Sequence, residues 1–442
     1  MATLAPMTLR VISMTKRVLR SSAQFVAAVS TATLLAACGG TTADPTPLVT
    51  DDGGIDAGDL DVAVDAGDPL NPVYPADHSP IPLVNYNGGR VMTAPKIVTI
   101  TFANDEAPLV ARLQTFGDTI TATPWWTATT SEYCVQPIGN PCVGSGSGGG
   151  HVVLTDPPAA SYVDSSQGQA STIQDFIKAK VADATFPAPT DQTIYAIYFP
   201  TNVSITLDGS QSCGGGGGGG FGAYHNTIEL PDGKGGKVRT PYAIMPRCGA
   251  KEATTTVSSS HELVETATDP DIGLGDVSYY MQNQLWAFAG GEVGDLCVDF
   301  TGGNDTVVES TFTVQRSWSN KAAKASHNPC VPVPNGDVYF NAAARVQKVV
   351  LKAKGDTTTL DIDAFSDAPL ADWDISGVDF AQFQGGTASV SFAFDKTKVH
   401  NGSHVVLTLT AIKAIPAQPG GLAIVSRSGT QTHYWPVLLS TK

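Results

Sequence analysis

Six cysteines constrain this chain more than any other feature. In order they are Cys134 and Cys142, Cys213 and Cys248, Cys297 and Cys330, an even set with no Cys-x-x-Cys spacing of the kind that chelates metal. In an oxidising compartment such a set reads as disulfides. Six cysteines admit many connectivities, and short loops favour the sequential one: Cys134–Cys142, Cys213–Cys248 and Cys297–Cys330.

The first 38 residues bear on the compartment. Arg10, Lys16, Arg17 and Arg20 form a basic segment, and an apolar stretch from Phe25 to Ala37 follows, too short to span a bilayer. It ends in Leu35-Ala36-Ala37-Cys38, which resembles the bacterial lipobox, where the cysteine is diacylated and becomes the new N-terminus. Residues 1–37 are then a signal peptide, Cys38 the lipidation site, and the membrane a partner through a lipid anchor. Gly39 rather than aspartate follows, which points to the outer membrane and the cell surface. The formal charge is −15, and losing four cations with the leader takes it to about −19. A chain this acidic lacks the basic footprint of a nucleic-acid binder.

From Cys38 to residue 79 the chain is rich in Asp, Gly, Ala and Pro, with no aromatic before Tyr74. It has too little apolar surface to offset its ordering entropy and reads as an acidic tether. Residues 80–331 read as one α/β (α+β) unit. Ile97–Phe102 and Thr193–Phe199 are buried-strand runs, and Leu109, Leu113, Phe116 and Ile120 recur at helical spacing over Glu106–Thr121. Ser171 with Gln174 makes a capping box for a second helix carrying Ile173, Phe176, Ile177 and Val181. Strands alternating with helices imply a mixed sheet. Two glycine stretches, Gly144–Gly150 and Gly214–Gly220, interrupt this pattern; the second lacks the Gly-Lys-Ser/Thr ending of a phosphate loop and reads as a flexible loop near a cleft. Residues 332–442 change texture to alternating runs such as TTTLDIDAF and SHVVLTLTAI with a turn at Asn401-Gly402, an all-β, immunoglobulin-like sandwich.

The stretch richest in chemistry is Ser260-His261-Glu262-Leu263-Val264-Glu265, closed by Asp269-Pro270. On a helix His261 and Glu265 lie one turn apart on one face, the spacing of the zinc-protease His-Glu-x-x-His helix with a carboxylate as second ligand. A catalytic zinc needs a third ligand and an open position. The glycine-flanked segment Gly291-Glu292-Val293-Gly294-Asp295 supplies it, with Glu292 as first choice and Asp295 as second. Glu262 would be the general base, and His225, just past the second glycine stretch, would assist catalysis. Zinc is the expected metal, although so many oxygen ligands also suit calcium or manganese. The bland reading of the same stretch is a surface helix with solvated glutamates.

The order of motifs also resembles the EXORDIUM-like, phosphate-induced secreted proteins of plants and their bacterial relatives. The matching pieces are Val84-Asn85-Tyr86-Asn87-Gly88-Gly89, Pro124-Trp125-Trp126 with Tyr133, the glycine run before His225, and Ser260 to Pro270. Trp286, Gly291 to Cys297 and Val314-Gln315-Arg316-Ser317-Trp318-Ser319-Asn320 complete the series. The resemblance implies an extracellular protein; its activity is not defined by it. The lipobox, tether and C-terminal sandwich depart from the family. The resulting expectation is a surface zinc-dependent, metallopeptidase-like hydrolase acting on peptide or cell-wall material. The alternative is a non-catalytic adhesion or signalling lipoprotein with a structural metal or hydrogen-bond cluster.

Overall fold

The computed structural model describes residues 72–442 apart from 138, 167, 214–219, 250, 284–285, 287–290, 299–304, 384–385 and 418–419. The signal peptide, Cys38, most of the acidic tether and nearly all of the second glycine stretch lie outside the described residues.

The first unit is built on a five-stranded sheet. Its strands are β1 (Lys96–Phe102), β2 (Ser147–Leu154), β3 (Thr193–Phe199), β4 (Tyr224–Pro231) and β5 (Lys237–Pro246), in the order β2-β1-β3-β5-β4. The first four in that order run parallel, and β4 closes one edge antiparallel to β5. Along β3, Ile194, Ala196 and Tyr198 enter one core while Tyr195, Ile197 and Phe199 enter the other. Both faces are covered, so the strand reads as an unbroken apolar run rather than an alternating one.

Helices α1 (Ala107–Thr119), α2 (Pro124–Thr130) and α4 (Glu252–Thr268) cover one face, and α3 (Thr172–Ala182) covers the other. The N-terminus of α3 is held by Ser171, whose hydroxyl accepts the Gln174 backbone N–H at 2.9 Å. Only half of the expected box forms, because the Gln174 side chain donates to the Tyr242 hydroxyl instead.

The first glycine stretch, expected as an interruption, is largely the edge strand β2. Glycine is needed there by close approach: a Cβ at Gly148 would lie 2.3 Å from Asp118 Oδ1, and one at Gly146 would lie 2.2 Å from the Pro95 carbonyl oxygen.

After a hairpin of β6 (Thr306–Glu309) and β7 (Phe312–Gln315), the chain becomes all-β apart from the short helices Asn320–Lys324 and Phe380–Phe383. One sheet orders as β8 (Phe340–Ala344), β10 (Thr357–Ser366), β14 (His404–Ala411), β12 (Val390–Phe394). The other orders as β9 (Lys348–Val350), β16 (Gln431–Ser440), β15 (Gly420–Ser428), β11 (Trp373–Asp379), β13 (Lys398–Val399). Every pairing is antiparallel except β9 with β16.

The apolar core does not stop where the architecture changes. Trp286 packs edge-on against both Trp318 and Trp435, at centroid distances of 5.4 and 5.6 Å, and one buried cluster runs from α1 to β16. Residues 72–79, grouped with the tether by composition, lie against the sandwich. His78 stacks on Phe365, Ser79 donates to the Ala344 carbonyl, and Asn401 bonds the backbone of both Val73 and Ala76. Three disulfides join Cys134 to Cys142, Cys213 to Cys248, and Cys297 to Cys330. Among the described residues no helix is long and apolar enough to cross a membrane.

Candidate metal centre

Helix α4 is an improbable helix by propensity, since seven of its nine residues from Ala253 through His261 are Thr, Ser or β-branched. It forms because its apolar residues are buried, and bonding back along the helix leaves its buried hydroxyls satisfied. Thr255, Ser259, Thr266 and Thr268 each donate to the carbonyl four residues earlier, at 2.6–3.2 Å. Leu263, Val264 and Ala267 are fully buried in the core beneath the sheet. The helix ends at Thr268, with Asp269 as cap, before Pro270.

The opposite side of α4 faces a polar cluster. His261, Glu262 and Glu265 leave only 3–5% of their side chains exposed, and His225, near the start of edge strand β4, leaves 3%. The bland expectation of a solvated surface helix is therefore overturned. Glu292 and Asp295, from the glycine-flanked bend, are more open at 14% each.

Glu265 Oε1 accepts the backbone N–H groups of Gly294 and Asp295 at 3.1 and 3.0 Å. Its other oxygen, Oε2, faces both imidazoles, 3.1 Å from His261 Nε2 and 3.8 Å from His225 Nδ1. Gly294 permits this close approach: a Cβ there would lie 2.8 Å from His261 Nδ1 and 2.9 Å from Glu265 Oε1. The bend itself is tied down by Trp318, whose N–H donates to the Val293 carbonyl, and by the Cys297–Cys330 disulfide.

Gln315, which sequence reasoning gave no role, fixes the state of His261. Its amide nitrogen donates to the Gly294 and Arg316 carbonyls at 2.8 and 3.3 Å, so its oxygen is the atom 3.1 Å from His261 Nδ1. An amide oxygen only accepts, hence Nδ1 carries the proton and Nε2 is the nitrogen turned to Glu265 Oε2 and, at 3.5 Å, to Asp295 Oδ1. Trp125 and Ser260 hold Gln315 in place, the indole N–H donating to its carbonyl and Ser260 Oγ accepting its N–H. The one available signal was its place in the motif series beside Trp318.

The electrostatics follow from charge count. Four carboxylates, Glu262, Glu265, Glu292 and Asp295, crowd two imidazoles. Burial alone would lower the pKa of His261, but Glu265, with Glu262 and Asp295, more than reverses this and holds it well above the usual value. Burial raises Glu292 well above the carboxylate range, and Glu265, Asp269, Asp295 and Glu262 push the same way. Burial likewise raises Asp269, next to the cluster. Burial would raise Glu265 too, yet His261 and His225 bring it below the ordinary value. The excess of carboxylates thus draws protons into the cluster.

The expected ligands separate into two overlapping groups. His261, Glu265 and Asp295 offer ligand atoms within 4.8 Å of one another, and so do His225, Glu265 and Glu292. Glu292, expected to join His261 and Glu265, instead faces His225, its Oε1 lying 3.4 Å from Nε2; the second choice, Asp295, is the residue beside His261. Glu262 does not point away from the cluster: its oxygens lie 3.2 Å from His225 Nδ1 and 3.9 Å from His261 Nε2. Imidazole nitrogen and carboxylate oxygen are a donor set suited to zinc, and to manganese as oxygens predominate.

No family model matches the chain, and no curated protein matches it either. Among solved structures it is similar to a conjugative transposon lipoprotein from Bacteroides eggerthii, at 13% identity and TM-score 0.18 over 23% of this chain and 95% of that one. A Bacteroides ovatus GH5 xyloglucanase, bound to a XXXG heptasaccharide, matches at 16% identity and TM-score 0.16 over 24% and 19% of the two chains. Chimeric titin Z1Z2 matches at 14% identity and TM-score 0.16 over 24% and 97%. Likenesses of this extent leave the chemistry of the centre to be argued from its own residues.

Proposed function

We propose that this chain is a lipid-anchored, metal-dependent hydrolase of the cell surface, peptidase-like in its chemistry and acting on peptide or cell-wall material. The observation that carries the reading is the orientation of His261, whose Nδ1 is held by the Gln315 amide oxygen while Nε2 is aimed at two carboxylate oxygens. A lone pair facing two anions is repulsive unless a proton or a cation lies between them. His261, Glu265 and Asp295 would hold a zinc ion, and when bound it supplies Lewis acidity and makes water a stronger acid.

Glu262 lies beside that group and is the candidate general base. Its carboxylate would take a proton from the attacking water and return it to the leaving amine as the C–N bond breaks. His225, bonded to Glu262, would hold its carboxylate toward the centre. The EXORDIUM-like motif series supports a secreted setting, the lipobox and disulfides support the bacterial envelope, and the outer membrane is the reading of Gly39. The C-terminal domain is read as an immunoglobulin-like spacer.

A second reading has an observation of its own. The histidines and helix glutamates are almost sealed, which favours a structural cation in a non-catalytic adhesion or signalling protein. Glu262→Gln separates the two. The hydrolase reading expects zinc content to stay the same while cleavage of a peptide or muropeptide mixture falls by about a hundredfold or more. Wild-type protein that retains zinc and cleaves nothing in such mixtures would leave the structural reading standing.

A further inference from the structure

The proposed function uses one of the two ligand groups. We infer that the centre is dinuclear: a second divalent cation lies between His225, Glu265 and Glu292, with Glu265 bridging it to the first. This rests on the metal-site reading above and extends it.

Three observations point the same way. Glu265 has one oxygen engaged by backbone N–H groups, and the other faces both imidazoles, where a bridging oxygen would have to be. Glu262 spans the two positions as well, with one oxygen toward each histidine. Finally, His225 Nε2 and Glu292 Oε1 are both buried and 3.4 Å apart, and neither has a hydrogen-bond partner among the described residues. A buried polar atom without a partner is costly, and two that face each other are natural coordination atoms.

Charge balance also separates one cation from two. As metal ligands the four carboxylates, two of them buried and two partly exposed, carry four negative charges, and the imidazoles, as neutral ligands, offset none of them. One dication leaves two charges uncompensated in a nearly dry site; two dications neutralise it. In hydrolases with paired metals the ions sit about 3.5–4 Å apart, a spacing a single carboxylate spans. Chain topology builds the pair from opposite sides. Helix α4 contributes the shared glutamates, edge strand β4 brings one histidine, and the bend brings one carboxylate to each position.

The test is metal stoichiometry and magnetic coupling in the purified full chain. Manganese-loaded wild-type protein should hold about two ions per chain and give an exchange-coupled electron paramagnetic resonance spectrum. His225→Ala and Glu292→Gln should each hold about one ion and give an uncoupled six-line spectrum. Glu292 is the more exposed position, so its variant reports even if the histidine variant fails to fold. One ion in the wild type, unchanged in Glu292→Gln, would overturn the second position and leave the first intact. No bound manganese or zinc in the wild type would remove both.

Discussion

Two buried carboxylate centres in the same unit solve the same electrostatic problem differently. Asp164, on the far side of the sheet, is completed by the chain itself. Its Oδ2 accepts the hydroxyls of Tyr224 and Tyr242, each at 2.8 Å, and its Oδ1 accepts Ser171 Oγ and the Ser165 N–H at 2.7 and 2.8 Å. Four donors meet one carboxylate. At the α4 centre, Glu265 takes two backbone N–H groups on one oxygen and turns the other to two imidazoles, with Glu262, Glu292 and Asp295 crowded around them. The crowding of carboxylates around Glu265 is the feature on which the proposed cation sites rest.

The comparison breaks first at Asp164. Asp164→Ala would remove the buried acceptor shared by three hydroxyls, and a loss of roughly 3–5 kcal/mol of stability is expected by chemical denaturation. Zinc should not restore it. Glu292→Gln, in contrast, removes a crowded charge and should leave the metal-free protein as stable as wild type or slightly more so. A large loss in metal-free Glu292→Gln would mean that this carboxylate is structural too.

The second effect expected lies away from both centres. His433 is buried at the seam between the two units, against Tyr339 and Phe340. Burial, and then Arg316, lower its pKa from 6.5 to about 3. The unfolded chain therefore takes up a proton near pH 6.5 that the folded state refuses until about pH 3. Stability from this residue is complete above pH 6.5 and falls with acidification, by about 2 kcal/mol at pH 5. His433→Phe should flatten that slope in urea titrations at pH 7 and 5. An unchanged slope would place the acid sensitivity elsewhere.

The smallest effects refine the centre. Gln315→Ala frees His261 to change tautomer and should weaken zinc binding by about 10–100-fold in competition with a chelator, with little change in fold. Gly294→Ala should weaken zinc by a similar order, since its Cβ presses on His261 and Glu265 together. Full zinc affinity in both variants would remove the tautomer and close-approach arguments.

These residues also show how far the sequence carries. His261 and Glu265 were legible because their relation is local, one helical turn, and independent of the rest of the fold. The partition of Glu292 and Asp295 was not, since two carboxylates three residues apart in a bend differ only in direction. That direction is set by Gly294 packing against a distant helix. His225 read as a loop residue because its burial comes from the antiparallel pairing of β4 with β5, a long-range contact. Similarly, β8 (FNAAA) carries little strand signal, and Pro436 disguises β16. That proline is tolerated where the strand has a neighbour on one side only, since β9 first pairs at Leu438. Disulfide order was legible because short loops close at least entropic cost.

The central claim is that cations complete the α4 cluster, and anomalous diffraction at the zinc edge from crystals grown with zinc tests it most directly. The account predicts density between His261 Nε2, Glu265 Oε2 and Asp295, with a second peak beside His225. Clean carboxylate density at both positions with no anomalous signal would contradict it and leave a proton-filled cluster in place of a metal centre.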